Sequence, residues 1–228
     1  AGAVAQGEAL DDPAWPALLR LVLPSNRAWL ALVDGDHAAC VHWCQQQAAL
    51  SSAAGLGEMS VLIKVGSAQL AAGQLHAAVQ TFSDLAGRLH GVREQQHLAR
   101  VLSNLGAALL GLGRAAEARA VLVRSWPLAG LYGMLPQWAD DAALVAALEG
   151  RGAAALQLAG FADAAFAALG QPREAVDAAR MTQALQLAAQ ALAGQQDAAG
   201  CARLQASGAQ LPAAALPALF FGSGFTPN

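Results

Sequence analysis

His37, Cys40 and Cys44 fall at i, i+3 and i+7, roughly one side of a helix, and carry the imidazole and thiolate donors that zinc takes. Helix rise separates the ends of this triplet by about 10 Å at 1.5 Å per residue, too far for three converging ligands. A fourth ligand would have to come from His42, on another side, or from the remote Cys201. We therefore read the cysteines as small buried hydrophobes and assign no metal. Asp11-Asp12 and Asp140-Asp141 are adjacent pairs whose side chains point to different helix sides, and both stand near expected helix starts. Capping and dipole compensation account for them better than acid/base work. Val61-Leu62-Ile63-Lys64 lacks the glycine frame of a phosphate-binding loop, and Val65 follows Lys64 where Ser or Thr belongs. No G-x-S-x-G elbow surrounds Ser67, Ser103 or Ser207. The expectation is no catalytic residues, no cofactor and no enzyme.

The elements that position these residues show in a repeat. Leu62, Gly66, Gln69, Gly73, Ala78 and Phe82 recur forty residues on as Leu102, Gly106, Leu109, Gly113, Ala118 and Leu122. A weaker third unit places Ala143, Gly150, Ala155 and Ala159 at the same points. Small residues at Gly66 and Gly106, facing Ala78 and Ala118, let two helices of a hairpin approach closely. Gly73 and Gly113 stand where the first helix must turn over, which suits positive φ. These are tetratricopeptide positions, with departures: the consensus tryptophan and tyrosine are replaced by Leu62 and Gln69, then by Leu102 and Leu109, and His90 and Gly130 stand for the proline. The fold class that follows is all-α, a tetratricopeptide-like superhelical stack of antiparallel helix hairpins.

Composition agrees: hydrophobic residues make up 56% of the 228, charged residues 13%, and much of the apolar share is alanine. Net charge of −3 leaves no cationic footprint for nucleic acid. Ala1 to Leu10 lacks a basic and an apolar region of a secretory signal, and the start at Ala1 suggests an excised or processed chain. Gly152 to Gly170 is the nearest approach to a membrane span, but it carries Gln157 and Asp163. Three cysteines make a poor disulfide framework. Cytoplasm is the expected compartment, with no direct nucleic-acid or membrane contact.

Along the chain, Asp12-Pro13 reads as a helix start running to Leu21, and Pro24-Ser25-Asn26 as a break. Helices are expected over Asp36–Gln47, then over Glu58–Ala72 and Leu75–Leu89, and over Glu94–Leu112 and Ala115–Ser125. An irregular connection, Leu128–Pro136, follows. Further helices cover Gln137–Leu148, Gly152–Leu169, Arg173–Leu192, Asp197–Ser207 and Pro212–Leu219. Ser51 or Ser52 is expected to cap the helix that follows Asp36–Gln47, and Asp34 and Asp36 around Gly35 to serve a turn and a cap. The organisation is an N-terminal segment (1–28), a helical-repeat domain (29–220) and a tail (221–228).

The run Trp29-Leu30 through Asp36-His37 to Trp43, the two repeats, and Ala146 to Arg151 leading to Ala159-Gly160-Phe161-Ala162-Asp163-Ala164-Ala165-Phe166 together resemble the C-terminal helical region of large bacterial regulators. In those proteins a winged-helix DNA-binding domain and a STAND-type signalling ATPase precede a tetratricopeptide-like array. The resemblance spans roughly Trp29 to Phe220 and implies a sensor or interaction module. Its partner is then a protein or peptide, or the ATPase and DNA-binding domains absent from this chain. The alternative is a freestanding adaptor binding a peptide or partner protein. By register, Lys64 and Ser67 of one unit and Arg100, Ser103 and Asn104 of the next are expected to face the concave groove, where in peptide-binding tetratricopeptide proteins such cations and amides clamp a carboxylate; the alternative reading is solvated surface polarity alone. Gln137 and alanines stand at these places in the third unit. Trp126, Tyr132 and Trp138 gather near the central connection as a pocket wall or as core.

Overall fold

Four glycines with positive φ set the architecture: Gly35, Gly73, Gly113 and Gly150, at 73°, 70°, 71° and 75°. Each ends a helix, and the next residue's N–H reaches back five positions, Asp36 to Ala31 O, Gln74 to Gln69 O, Arg114 to Leu109 O and Arg151 to Ala146 O, at 2.8–2.9 Å. That is the six-to-one bond of a Schellman turn, and a left-handed residue without Cβ is what closes it. The same residue's carbonyl then accepts the first bond of the following helix, from Cys40, Ala78, Ala118 or Ala155 N–H at 2.9–3.0 Å. The chain thus reverses in two residues and lays a second helix on the first.

The structure is a computed structural model and describes residues 15–55, 59–89, 91, 94–170, 172–173 and 175–222, with the backbone alone for 17, 18, 175 and 176. In order, the elements are α1 (Ala17–Arg20), α2 (Val22–Val33), α3 (His37–Ala53), α4 (Met59–Ala71), α5 (Leu75–Arg88), α6 (Gln95–Gly111), α7 (Ala115–Ala129), α8 (Leu135–Leu148), α9 (Gly152–Leu169), α10 (Ala175–Ala191) and α11 (Ala198–Gly208). A 3₁₀ turn (Ala213–Ala215) leads into α12 (Leu216–Phe221). No strand occurs among the described residues, so the all-α expectation is met. Internal packing divides the chain into two units, Ala1–Asn104 and Leu105–Asn228, and the division falls inside α6.

Within the first unit α1 packs on α2 and α3, and α2 on α3, α3 on α4 and α4 on α5 follow in sequence. Ala28, Ala31, Cys40, Val41, Cys44, Val65 and Ala68 form one buried cluster there. At the α4–α5 crossing a Cβ on Gly66 would stand 2.7 Å from the Phe82 ring, so glycine is the space into which that ring fits. Phe82 is fully buried, a burial that stabilises by about 2–3 kcal/mol. Thr81 Oγ1 donates to Gln69 Oε1 at 2.8 Å, which gives the buried amide oxygen a partner. Within the second unit α7 packs on α8, α8 on α9 and α10, and α9 on α10 and α11, while α12 lies on α8 and α9. The closest approach is between α9 and α11: a Cβ on Gly160 would sit 1.8 Å from Gln205 O, and one on Gly208 would sit 2.0 Å from Gln157 O. Each helix presents a glycine to the other's backbone.

Several boundaries differ from expectation. Pro24 does not break the chain: it is the third residue of α2, where its missing N–H is one that the first turn leaves unpaired in any case. The expected 28/29 boundary consequently falls inside a continuous helix. Asp36 caps α3 as expected, accepting from Ala39 N–H at 2.9 Å, but α3 runs on to Ala53. Ser51 and Ser52 are therefore helical and cap nothing, Ser51 being buried. Helix α7 continues through Pro127 to Ala129, and α8 starts at Leu135 with Pro136 in its first turn, which shortens the irregular connection. Gly106 faces Val121 and the Asp141 carboxylate rather than Ala118. Asp11, Asp12, Pro13 and His90 lie outside the described residues, as does the tail from 223 onward.

Candidate functional site

On α4 and α6 two hydrogen bonds join residues thirty-seven apart, Ser60 Oγ with His97 Nε2 at 3.2 Å and Asn104 Nδ2 donating to Ser67 Oγ at 3.2 Å. A constant offset two turns along means that these helices run side by side in the same direction. The sequence-selected residues belong to this pair. Ser67 also donates to Ile63 O at 3.0 Å, so its hydroxyl is engaged on both sides. Ser103 and Asn104 are half-buried, whereas Lys64 and Arg100 are exposed. Among the described residues neither cation has an ion-pair partner, so the two remain available to an anion. Gln137, at the third unit's place, has a buried Oε1 with no protein partner.

A second constellation was missed from sequence. Asp140 and Asp141 lie beyond the first turn of α8, because that helix begins at Leu135; they cap nothing, and both are buried. Arg173 grips Asp140 with two parallel bonds, Nε to Oδ2 at 2.8 Å and Nη2 to Oδ1 at 2.9 Å, and reaches Asp163 through Nη1 at 2.5 Å. Gln205 of α11 donates to the other oxygen of Asp163 at 2.8 Å. Arg180 lies 3.6 Å from Asp141 Oδ1 but bonds Asp177 at 2.5 Å. Two guanidiniums thus serve four carboxylates, and the one served worst is Asp141, whose Oδ1 has no hydrogen bond. Burial pushes the Asp141 carboxyl up to about 7, against the pull of Arg180 and with Asp177 and Asp140 adding repulsion. For Arg173 burial works to lower the pKa, but the bonds and charges of Asp140 and Asp163 outweigh it and keep the guanidinium charged. The network ties α8, α9, α10 and α11 together. Nothing in the spacing of Asp140 to Arg173 announces it, since Asp140 is on α8 and Arg173 stands in the connection before α10.

A third cluster closes on α12. Trp138, 2% exposed, donates its indole N–H to Leu122 O at 3.0 Å and packs against Trp126, Phe220 and Phe221. The sequence grouped Trp126, Tyr132 and Trp138; the structure makes Trp138 core, completed by two phenylalanines from the end of the chain. Arg119 donates to Phe220 O at 3.3 Å and Arg151 to Leu219 O at 2.9 Å, and Glu149 holds both arginines. Neither family models, curated protein sequences nor solved structures match this chain.

The cysteines are explained by the hairpin pattern. Cys40 and Cys44 stand five and nine residues after Gly35, as Ala78 and Phe82 follow Gly73 and as Ala118 and Leu122 follow Gly113. They fill the small position and the layer beneath it in a hairpin that the sequence reading did not count as a repeat. Burial raises both thiols, Cys44 to about 11, which leaves them protonated and unreactive at neutral pH. Among the described residues no group of three His, Cys, Asp or Glu side chains could hold a metal ion.

Proposed function

We propose that this chain is a non-enzymatic tetratricopeptide-like scaffold that holds a peptide or protein partner on the face formed by the first helices of its hairpins. The observation that supports this is the parallel α4–α6 pair, whose two cations, Lys64 and Arg100, are exposed above polar residues already bonded to each other. Preorganised neighbours and unspent cations suit a carboxylate, from a chain terminus or an acidic side chain. The test is an array of short peptides with free or amidated C-termini, read by fluorescence polarisation against the wild-type chain and against Lys64→Glu combined with Arg100→Glu. Peptides bound by the wild type should lose affinity at least about tenfold in the double variant, the size expected when two charge-assisted contacts become repulsive. Unchanged binding refutes the site.

The order of segments from Trp29 to Phe220 further supports a place in a longer cytoplasmic regulator, in which the array senses a ligand or partner and restrains an ATPase and its DNA-binding domain. In that setting occupancy shifts an off/on equilibrium by its differential affinity for the two states. Sequencing the coding region before Ala1 tests this, and the absence of a phosphate-binding loop upstream would favour the freestanding adaptor.

A further inference from the structure

Arg180 stands between two carboxylates that it does not serve equally. Its Nη2 bonds Asp177 Oδ1 at 2.5 Å, three residues back on α10, and lies 3.6 Å from Asp141 Oδ1 on α8. The first contact is internal to α10, whereas the second, once closed, would tie α10 to α8. The Asp177 side chain is 22% exposed and that of Asp141 3%, so water reaches one carboxylate and not the other. In the arrangement observed, Arg173 serves Asp140 and Asp163, Arg180 serves Asp177, and Asp141 has no cation at bonding distance. That arrangement suits a protonated Asp141, and burial, which pushes this carboxyl up to about 7, keeps the proton in place at acid pH.

Once Asp141 gives its proton to solvent, a buried charge stands beside a single free-moving cation. Asp140 on α8 and Asp177 on α10 repel it, and Arg173 is spent on Asp140 and on Asp163 of α9. From α6 only the backbone of Gly106 faces it, where an added Cβ would stand 3.3 Å from Asp141 Oδ2. On α7, Glu117 is paired with Arg114, Arg119 with Glu149, and Arg124 is exposed, while α12 carries no titratable side chain. Asp177 does not depend on Arg180 in the same way, because it lies in the first turn of α10, where water and the helix N-terminus both stabilise a carboxylate. A guanidinium movement of about 1 Å brings Nη2 to hydrogen-bond distance of Asp141. We propose that loss of the Asp141 proton moves Arg180 from Asp177 to Asp141, replacing a bond inside α10 by one between α10 and α8, so that pH sets how α10 is attached. This switch is independent of the groove reading, since no groove residue takes part.

Asp177→Asn reads the exchange. At about pH 5, with Arg180 on Asp177, this substitution should lower the urea midpoint by about 0.3 M or more, and at about pH 8.5, with Arg180 on Asp141, most of that loss should vanish. Asp141→Asn leaves Asp177 as the one charged partner throughout, so in that background Asp177→Asn should cost the same at both pH values. The wild-type chain gives a reading that needs no substitution. In carbon-13 NMR the Arg180 Cζ resonance should move with pH at the midpoint of the Asp141 carboxyl carbon. A cost of Asp177→Asn that is equal at both pH values in the otherwise wild-type chain overturns the proposal. So does a pH dependence that survives Asp141→Asn, or an Arg180 signal that stays still while Asp141 titrates.

Discussion

Replacing Asp141 by asparagine keeps the shape of a buried side chain and removes its charge. In the folded chain the carboxyl is 3% exposed, its Oδ1 has no hydrogen bond, and Arg180 stands 3.6 Å away with Asp177 holding it at 2.5 Å. The folded pKa of about 7 lies above the ordinary 3.8 of an unfolded aspartate. Between those values the folded state binds the proton that the unfolded state has released, so stability falls as pH rises through the window and is level above it. At 1.36 kcal/mol per unit the penalty accumulated above about pH 7 is on the order of 4 kcal/mol, a ceiling that relaxation around the charge reduces. Asp141→Asn should therefore unfold at higher urea than wild type at about pH 8 and lose most of that advantage at about pH 4. Urea titrations followed by far-ultraviolet circular dichroism across this range measure it. A variant less stable than wild type at the alkaline end, or a wild type with no decline between the two ends, refutes the reasoning. The neighbour gives a contrast of sign: Asp140→Asn strips the two-bond partner from Arg173, a guanidinium only 17% exposed, and should destabilise by about 3 kcal/mol.

Gly160→Ala sets a methyl against Gln205 O at the tightest helix crossing and should cost about 3 kcal/mol or more, measured by chemical unfolding; a cost below about 1 kcal/mol would mean that the crossing gives way. Gly73→Ala meets no neighbour but puts a Cβ on a residue at φ 70°, so it should cost about 1–2 kcal/mol with the fold retained by circular dichroism. Phe220→Ala empties the space against Trp138 and should cost about 3–5 kcal/mol, with a shift in tryptophan emission as the indole gains water.

What was legible in the sequence was local. Gly73 and Gly113 announce their turns because only glycine closes a Schellman bond without strain, and Gly152–Leu169 was bounded to the residue because Gly150 and Gly170 flank it. Gly35 makes the same turn, yet its hairpin was not counted as a repeat: Cys40 and Cys44, read correctly as buried, occupy the places held elsewhere by alanine, phenylalanine and leucine, and so do not match the repeat by residue type. Pro24 and Pro136 were misread for one cause, since both stand in first turns, where a missing N–H fits. The acid–arginine network could not be seen at all. Asp140 needs Arg173 from thirty-three residues away, in the connection just before α10, and it is the tertiary packing of α10 on α8 that sets that connection beside Asp140. The five residues chosen for a groove lie on α4 and α6, but the sequence could not say that Ser67 and Asn104 spend their groups on each other.

Arg119 bonds a carbonyl one hundred and one residues downstream, and Arg151 one sixty-eight downstream. Trp138 likewise waits for Phe220. A polypeptide emerging from the ribosome at roughly 5–20 residues per second leaves that indole without its phenylalanine neighbours, and both guanidiniums with Glu149 but without these carbonyls, for several seconds. Helices of the C-terminal half can form early, but its aromatic centre closes only when Phe220 has cleared the exit tunnel, and a nascent chain stalled short of that point exposes a tryptophan surface on which chaperones act.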